Sequence, residues 1–501
     1  MKDKNTLSHT TKIESEDMAG HISRNTLSLL SSRIVEYIGF FVFSLYYIPK
    51  LGPRQYGLFK YATSFTGFFF ILADFGLGML IIREIARLDL EKRRRLIGMG
   101  LIVKIFLGIF TFGLIMFFSL IIHKDPLVRS IVYLFGITTI INSMVYFFCG
   151  VFQGYEKMHL IAVVRIITTI VICLLGLATL EQGFGIMGLA FANIIGNIAG
   201  LVISLIFSRK LWDRLTFRME GSRIAALLKT AFPFGLFTFF STIYIQIDNI
   251  MIYHIKGETD LGIYGAATRI VIAVCFFTEA FMGTLYPMLS RYFIEDRTKL
   301  EKTYQRAFWF LYLTGMPAVI GLWCIANPLI IFLFGRTYEE SGPILSLLSV
   351  LIFFRFIGNV PATLLTAINK QIIRMWMVIS ASALNIILNL LLIPRYSYYG
   401  AAYSTLFVNF LLMIIYYYHG YKSGMKINKM LPRLIKPTIA AGIMFIFLLI
   451  SGHIHVLIQF SMGIILYIIA LFLLGSFNTE EKELFRRAFG GIISMVKDPR
   501  K

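Results

Sequence analysis

The chain has 501 residues, 57% hydrophobic and only 15% charged, with a formal net charge of +21. A soluble fold needs about 25% charged residues to cover its surface, so this composition excludes one. Apolar stretches of about 18 residues or more recur from end to end, each long enough to cross a hydrocarbon core of about 30 Å, whereas a β-barrel would show short alternating segments.

Residues 1–24 are polar and form an N-terminal tail. The apolar run after them lacks a small-residue cleavage site, so it reads as a retained helix rather than a signal peptide. Fourteen spans are predicted. The first six cover 25–48, 56–82, 96–122, 127–151, 158–180 and 184–208, followed by a linker at 209–227. Spans 7 to 12 cover 228–253, 261–290, 305–334, 343–368, 371–393 and 398–420. Spans 13 and 14, within 435–476, precede a polar tail at 477–501.

Charge placement argues against nucleic acid as the partner of the basic excess. Connections after even-numbered spans are rich in Lys and Arg, such as Arg83, Arg87 and Lys92 to Arg95, then Arg209, Lys210, Arg214 and Arg218. Lys422, Lys426, Lys429 and Arg433 continue the series, while connections after odd-numbered spans carry few. By the positive-inside rule the basic side is cytoplasmic, with both termini on it. The expected place is a cell (inner or plasma) membrane, with anionic lipids as contacts.

One stretch is written twice. "LGPRQYGLFKYAT" at 51–63 and "IKGETDLGIYGAAT" at 255–268 align with Gly52 on Gly257, Gly57 on Gly262, Ala62 on Ala267 and Thr63 on Thr268, each 205 residues on. "EQGFGIMGLAFANIIG" into span 6 echoes "YSYYGAAYSTLFVNFL" into span 12, with Gly185 opposite Gly400. Spans 1–6 (25–208) and 7–12 (228–420) therefore read as two parallel copies. The expected fold is an all-α integral membrane protein of about 14 transmembrane helices, in two parallel six-helix lobes around a central cavity plus two C-terminal helices. Two bundles about a pseudo-twofold suit alternating access.

Several motifs carry a family resemblance: "RQYGLFKYATSF", "DFGLGMLIIREIAR", "FQGYEKM", "YIQIDNIMI", "LGIYGAATRI", "YPMLSRYF" and "LLIPRYSYYGAAYST". The chain resembles the Wzx-type O-antigen and polysaccharide flippases of the multidrug/oligosaccharidyl-lipid/polysaccharide exporter superfamily over nearly its whole length. That resemblance implies movement of a polyprenyl-(pyro)phosphate-linked oligosaccharide from the cytoplasmic to the outer leaflet, for surface polysaccharide biosynthesis. Other polysaccharide-assembly membrane proteins are its potential partners. A multidrug or cation exporter and a lipid II flippase of the same superfamily are the alternatives.

Such a head group is polar and anionic, and charged residues inside spans, at about 2.5–3.5 kcal/mol each on insertion scales, normally face a cavity or a partner. Arg355 lies 12 residues into span 10, about 18 Å deep, and Arg269 lies 8 residues into span 8, about 12 Å from its outer end. Arg33, Lys104 and Arg165 lie closer to the inner side, where snorkelling competes with a cavity role. These five are the candidate substrate-binding residues, since cationic groups hold phosphate oxygens and Arg does so bidentately. Related lipid II flippases carry cavity arginines near the region of Arg269. The acids Glu279, Glu36, Asp248 and Asp74 are the candidate ion-coupling residues, as a desolvated carboxylate can take a proton or hold Na⁺. Each could equally be a counter-ion, Glu36 to Arg33 three residues away.

No cofactor or metal is expected beyond a coupling H⁺ or Na⁺. The four cysteines lack CxxC spacing and read as apolar packers. Gly196 and Gly200 read as a helix-packing pair. No GxxxxGK[ST] or HExxH motif occurs, and the outer connections are short, so the chain reads as a secondary transporter rather than an enzyme.

Overall fold

A computed structural model describes residues 3–212, 221–426, 431–452 and 454–477, apart from the side chains of 3–30, 210–212, 221–224, 233, 234 and 237. Arg214 and Arg218 of the linker, Lys429, His453 and the tail from 478 onward lie outside the described residues. Among the described residues the regular elements are helical: α1 (Asp3–Asp74), α2 (Leu77–Arg87), α3 (Leu90–Ile122), α4 (Pro126–Gly154), α5 (Met158–Glu181), α6 (Gly185–Trp212) and α7 (Gly221–Lys256). They continue with α8 (Glu258–Glu295), α9 (Arg297–Phe334), α10 (Ser341–Ala367), α11 (Gln371–Tyr396), α12 (Tyr398–Lys422), α13 (Leu431–Ile450) and α14 (Val456–Leu473).

Twelve stretches are long and apolar enough to cross a membrane, the first being Ser31–Arg87, of 57 residues. That stretch holds spans 1 and 2, and α7, 36 residues long, supplies span 7, so the fourteen expected crossings are all helical. At about 1.5 Å per residue a straight 57-residue helix would reach about 85 Å, far more than one crossing needs. The chain turns instead at Gly52, whose φ of 69° a residue with a Cβ would resist. Pro53 follows, its fixed φ suited to the first turn of the next helical stretch. The second copy does the same at Gly257, with a φ of 100°, before Glu258 and Asp260 open α8, where acids complement the helix dipole.

Span 2 is broken near its basic-rich end. Phe75 and Gly76 take φ values of 51° and 78°, separating α1 from α2, where the sequence pattern predicts one continuous helix over 56–82. Two successive left-handed residues cannot continue a right-handed helix.

The chain folds as two compact units, Met1–Ala266 with Met375–Ser404, and Ala267–Arg374 with Thr405–Lys501. In the first, Ile81 and Ile85 of α2 pack with Ile97, Phe147, Phe152 and Val164 of α3, α4 and α5. A Cβ on Gly196 or Gly200 would run into Ile172 or Thr168, so these glycines of α6 seat α5. In the second unit α13 and α14 are docked on α9 through Trp309, Leu313, Ile325, Met444, Leu448 and Tyr467. Lipid gives little hydrophobic drive to such docking, so hydrogen bonds and small residues matter more. The Tyr467 hydroxyl donates to the Leu313 carbonyl at 2.8 Å, the hydroxyls of Tyr312 and Thr438 meet at 2.8 Å, and Ala440 and Ala441 let the helices approach. Pro287, Pro317 and Pro361 lie inside the continuous helices α8, α9 and α10.

Candidate functional site

The charged candidates fall into small sets, each built by helices distant in sequence. In the first unit Arg165 of α5 donates to Glu36 of α1 at 2.7 Å, both side chains half-buried. Local spacing points to Arg33 as the partner of Glu36, but the ion pair reaches across 129 residues instead. The buried Nε of Arg165 has no hydrogen-bond partner, so its planar fork is only partly used. Arg33 is exposed one turn before Glu36 on α1.

Lys104 of α3 and Asp74 meet at the break in span 2. The lysine is fully buried and donates to Asp74 Oδ1 at 2.6 Å and to the Ala73 carbonyl at 3.2 Å. A helix that stops at residue 74 leaves its last carbonyls without intrahelical partners. Lys104 satisfies one of them while its charge is matched by the carboxylate beside it.

Asp248 of α7 sits in a buried polar cluster with α8, α11 and α12. Its Oδ2 accepts from the Tyr264 hydroxyl at 3.2 Å and its Oδ1 from Asn389 Nδ2 at 2.7 Å. Asn389 Nδ2 also donates to Asn385 Oδ1 at 3.1 Å, and its own carbonyl oxygen accepts from the Ser404 hydroxyl. Both hydrogens of the Asn389 amide are thereby used. Asn385, Asn389, Ser404 and Tyr264 are not among the residues the sequence singled out. Two asparagines four apart in the apolar run "ALNIILNLLL" were the available signal, since i and i+4 share a face.

In the second unit Arg355 of α10 and Glu279 of α8 both neighbour the buried Cys275, and Arg355 hydrogen-bonds its thiol. One turn further, Asn359 Nδ2 donates to Thr278 Oγ1 at 2.9 Å, tying α10 to α8. Arg269 is half-buried on α8, ten residues and so about 15 Å along the helix from Glu279. Among the candidates Arg165 thus pairs with Glu36 and Lys104 with Asp74, Asp248 is bonded by Tyr264 and Asn389, and Arg355 and Glu279 share Cys275 as a neighbour.

The profile of the polysaccharide biosynthesis protein family matches residues 22–293, and that of MatE matches residues 233–391. The capsular polysaccharide biosynthesis protein CapF of Staphylococcus aureus is 24% identical over 383 residues, covering 74% of this chain and 92% of its own length. The probable low-salt glycan biosynthesis flippase Agl15 of Haloferax volcanii is 21% identical over 464 residues, covering 88% of this chain and 93% of its own. Among solved structures, the lipid II flippase MurJ in its inward closed conformation superposes with a TM-score of 0.73 at 16% identity. That match covers 93% of this chain and 99% of MurJ, so the two share a fold.

Proposed function

The chain belongs to the polysaccharide biosynthesis protein family, and we propose that it carries a polyprenyl-(pyro)phosphate-linked oligosaccharide from the cytoplasmic to the outer leaflet by alternating access. Its basic-rich ends and termini are cytoplasmic in this proposal. The observation that carries it is the set of half-buried arginines within apolar helices: Arg165 paired with Glu36, Arg355 beside Cys275, and Arg269 on α8. Arginine stays charged in a low-dielectric setting and holds phosphate oxygens with a planar fork, which suits a pyrophosphate and opposes an organic cation. The relatives whose names mention capsular polysaccharide and a glycan flippase support the same substrate class.

Within this function Arg269, Arg355, Arg165 and Arg33 grip the phosphates. Lys104 and Asp74, tied to each other, hold the break in span 2. Coupling is assigned to Asp248, whose cluster of hydroxyls and amides offers oxygen ligands for a small hard cation or a path for a proton. Glu36 and Glu279 act as counter-ions to Arg165 and Arg355.

A vesicle assay tests these assignments together, using purified protein and a fluorescent polyprenyl-pyrophosphate oligosaccharide. Losing one charge-assisted phosphate contact is worth about 1.5–3 kcal/mol, so Arg269→Ala and Arg355→Ala each slow translocation about 10- to 100-fold. Asp248→Asn keeps the shape but not the charge, and abolishes the response to an imposed H⁺ or Na⁺ gradient. Folded arginine variants that match the parent would remove the phosphate grip from those residues, and an unchanged gradient response would remove coupling from Asp248.

A further inference from the structure

The two copies of the repeated motif touch each other. A Cβ built on Gly57 would run into the carbonyl oxygen of Glu258, and one built on Gly262 would run into the carbonyl oxygen of Pro53. Gly57 and Gly262 are equivalent positions of the repeat, and so are Pro53 and Glu258. The contact is therefore reciprocal, with each glycine meeting the residue equivalent to the one that meets its counterpart, as a local twofold requires. Each glycine points an α-hydrogen at a backbone carbonyl, a close approach that only a residue without a Cβ allows.

Further contacts run down the same seam, all within the first compact unit. The Lys60 stem lies over Gly265, its own repeat equivalent, and the buried Tyr56 hydroxyl points at the Gly265 carbonyl at 3.4 Å. Below them the ring of Tyr61 stacks on Tyr253 with centroids 3.7 Å apart, and its hydroxyl sits between His123 and His254. Two turns below Gly57, Ser64 donates to Gln246 at 2.8 Å and accepts from Asn249 at 2.9 Å. At the rim Arg54 pairs with Glu258 at 2.9 Å, but Arg54 is 75% exposed, so that pair adds little.

We propose that this crossing is the outer closure of the transport path, and that the motif is written twice because a closure on the pseudo-twofold must fit its own copy. This deepens the alternating-access function and rests on it. A seam whose closest contacts at the mouth are backbone against backbone, with one exposed ion pair at the rim, has few side chains there to unthread, so it can shut tightly and still part as a unit. The Tyr61–Tyr253 stack and the Ser64 hydrogen bonds then set the depth to which it is closed.

The test uses protein whose four native cysteines are replaced by alanine or serine. With Arg54→Cys and Glu258→Cys together, oxidation or a short thiol cross-linker should stop translocation, and reduction should restore it, while each single variant is indifferent to both treatments. Separately, a reporter Ser64→Cys, buried in the parent, should become severalfold more reactive to an impermeant thiol reagent from outside when Gly57→Ala or Gly262→Ala is added. The two should act alike, because the contact is reciprocal. Cross-linked protein that transports as fast as the reduced form would overturn the closure while leaving the flippase function standing. Unchanged Ser64→Cys labelling in folded glycine variants would overturn it as well. If instead labelling rises but the reduced protein moves no lipid-linked sugar, the proposed cargo fails while the crossing still seals the outer side of a transporter for another cargo. Should the glycine variants not fold, the cross-linking arm decides alone.

Discussion

Lys104 and Asp74 form the deepest ion pair among the described residues, with the lysine fully out of solvent. Taking either charge out of water costs several kcal/mol, and the pair is tolerated because its geometry is close and the Ala73 carbonyl takes a further donor. Lys104→Met or Asp74→Asn alone strands the other charge and should lower stability by about 3–5 kcal/mol, whereas the double variant should recover most of that loss. Thermal unfolding of the purified proteins in one detergent checks this, and additive losses would show that the two groups do not depend on each other. At this scale the sequence supplied candidates but few partners. Lys104, Asp74, Arg165, Glu36 and Asp248 stood out because charge is rare in apolar runs. Their pairings, 30 residues apart for Lys104 and Asp74 and 141 for Asp248 and Asn389, depend on helix packing that no local spacing encodes.

At the scale of elements, the crossings were legible because each apolar stretch matches the thickness it must span. The break at Phe75–Gly76 was not, although "DFGLG" offered a glycine there, since a single glycine in an apolar run is compatible with an unbroken helix. The duplicated turn was legible as a repeat from Gly52, Gly57, Gly257 and Gly262, but repetition does not say that the copies meet. Their seam includes a titratable group outside the spans. His123, just past the end of α3, is pushed down to about 4, first by burial and then by the neighbouring His254. An unfolded imidazole titrates near about 6.5, so between about 6.5 and about 4 the unfolded chain binds the proton that the folded one refuses. Stability contributed by neutral His123 is therefore fully present above about 6.5 and lost as pH falls through about 4. Replacing it by glutamine should flatten the melting temperature over that window relative to the parent. Superimposable pH curves for the two proteins would exclude His123 as a titrating member of the seam.

At the scale of the whole molecule, the family match and the twelve described stretches long and apolar enough to cross a membrane agree on a membrane transporter, and its fold is the one shared with MurJ. In the proposed function the charge balance selects the cargo. A cationic cargo would call for acids facing it, as opposite charges attract. Here Arg33, Arg165, Arg269 and Arg355 outnumber Glu36 and Glu279 in the half-buried and exposed sets. Asp74 and Asp248 are buried among their own hydrogen-bond partners. The proposed cargo, an anionic head group with its polyprenyl tail left in lipid, fits this balance.

The most direct measurement offers both cargoes to the same proteoliposomes: a fluorescent polyprenyl-pyrophosphate oligosaccharide, read by the leaflet in which it can be quenched, and a fluorescent organic cation. Protein-dependent translocation of the lipid-linked sugar, with no movement of the cation, is the predicted result. Export of the cation with the sugar lipid left in its original leaflet would contradict the account and make the chain a cation exporter on the same fold.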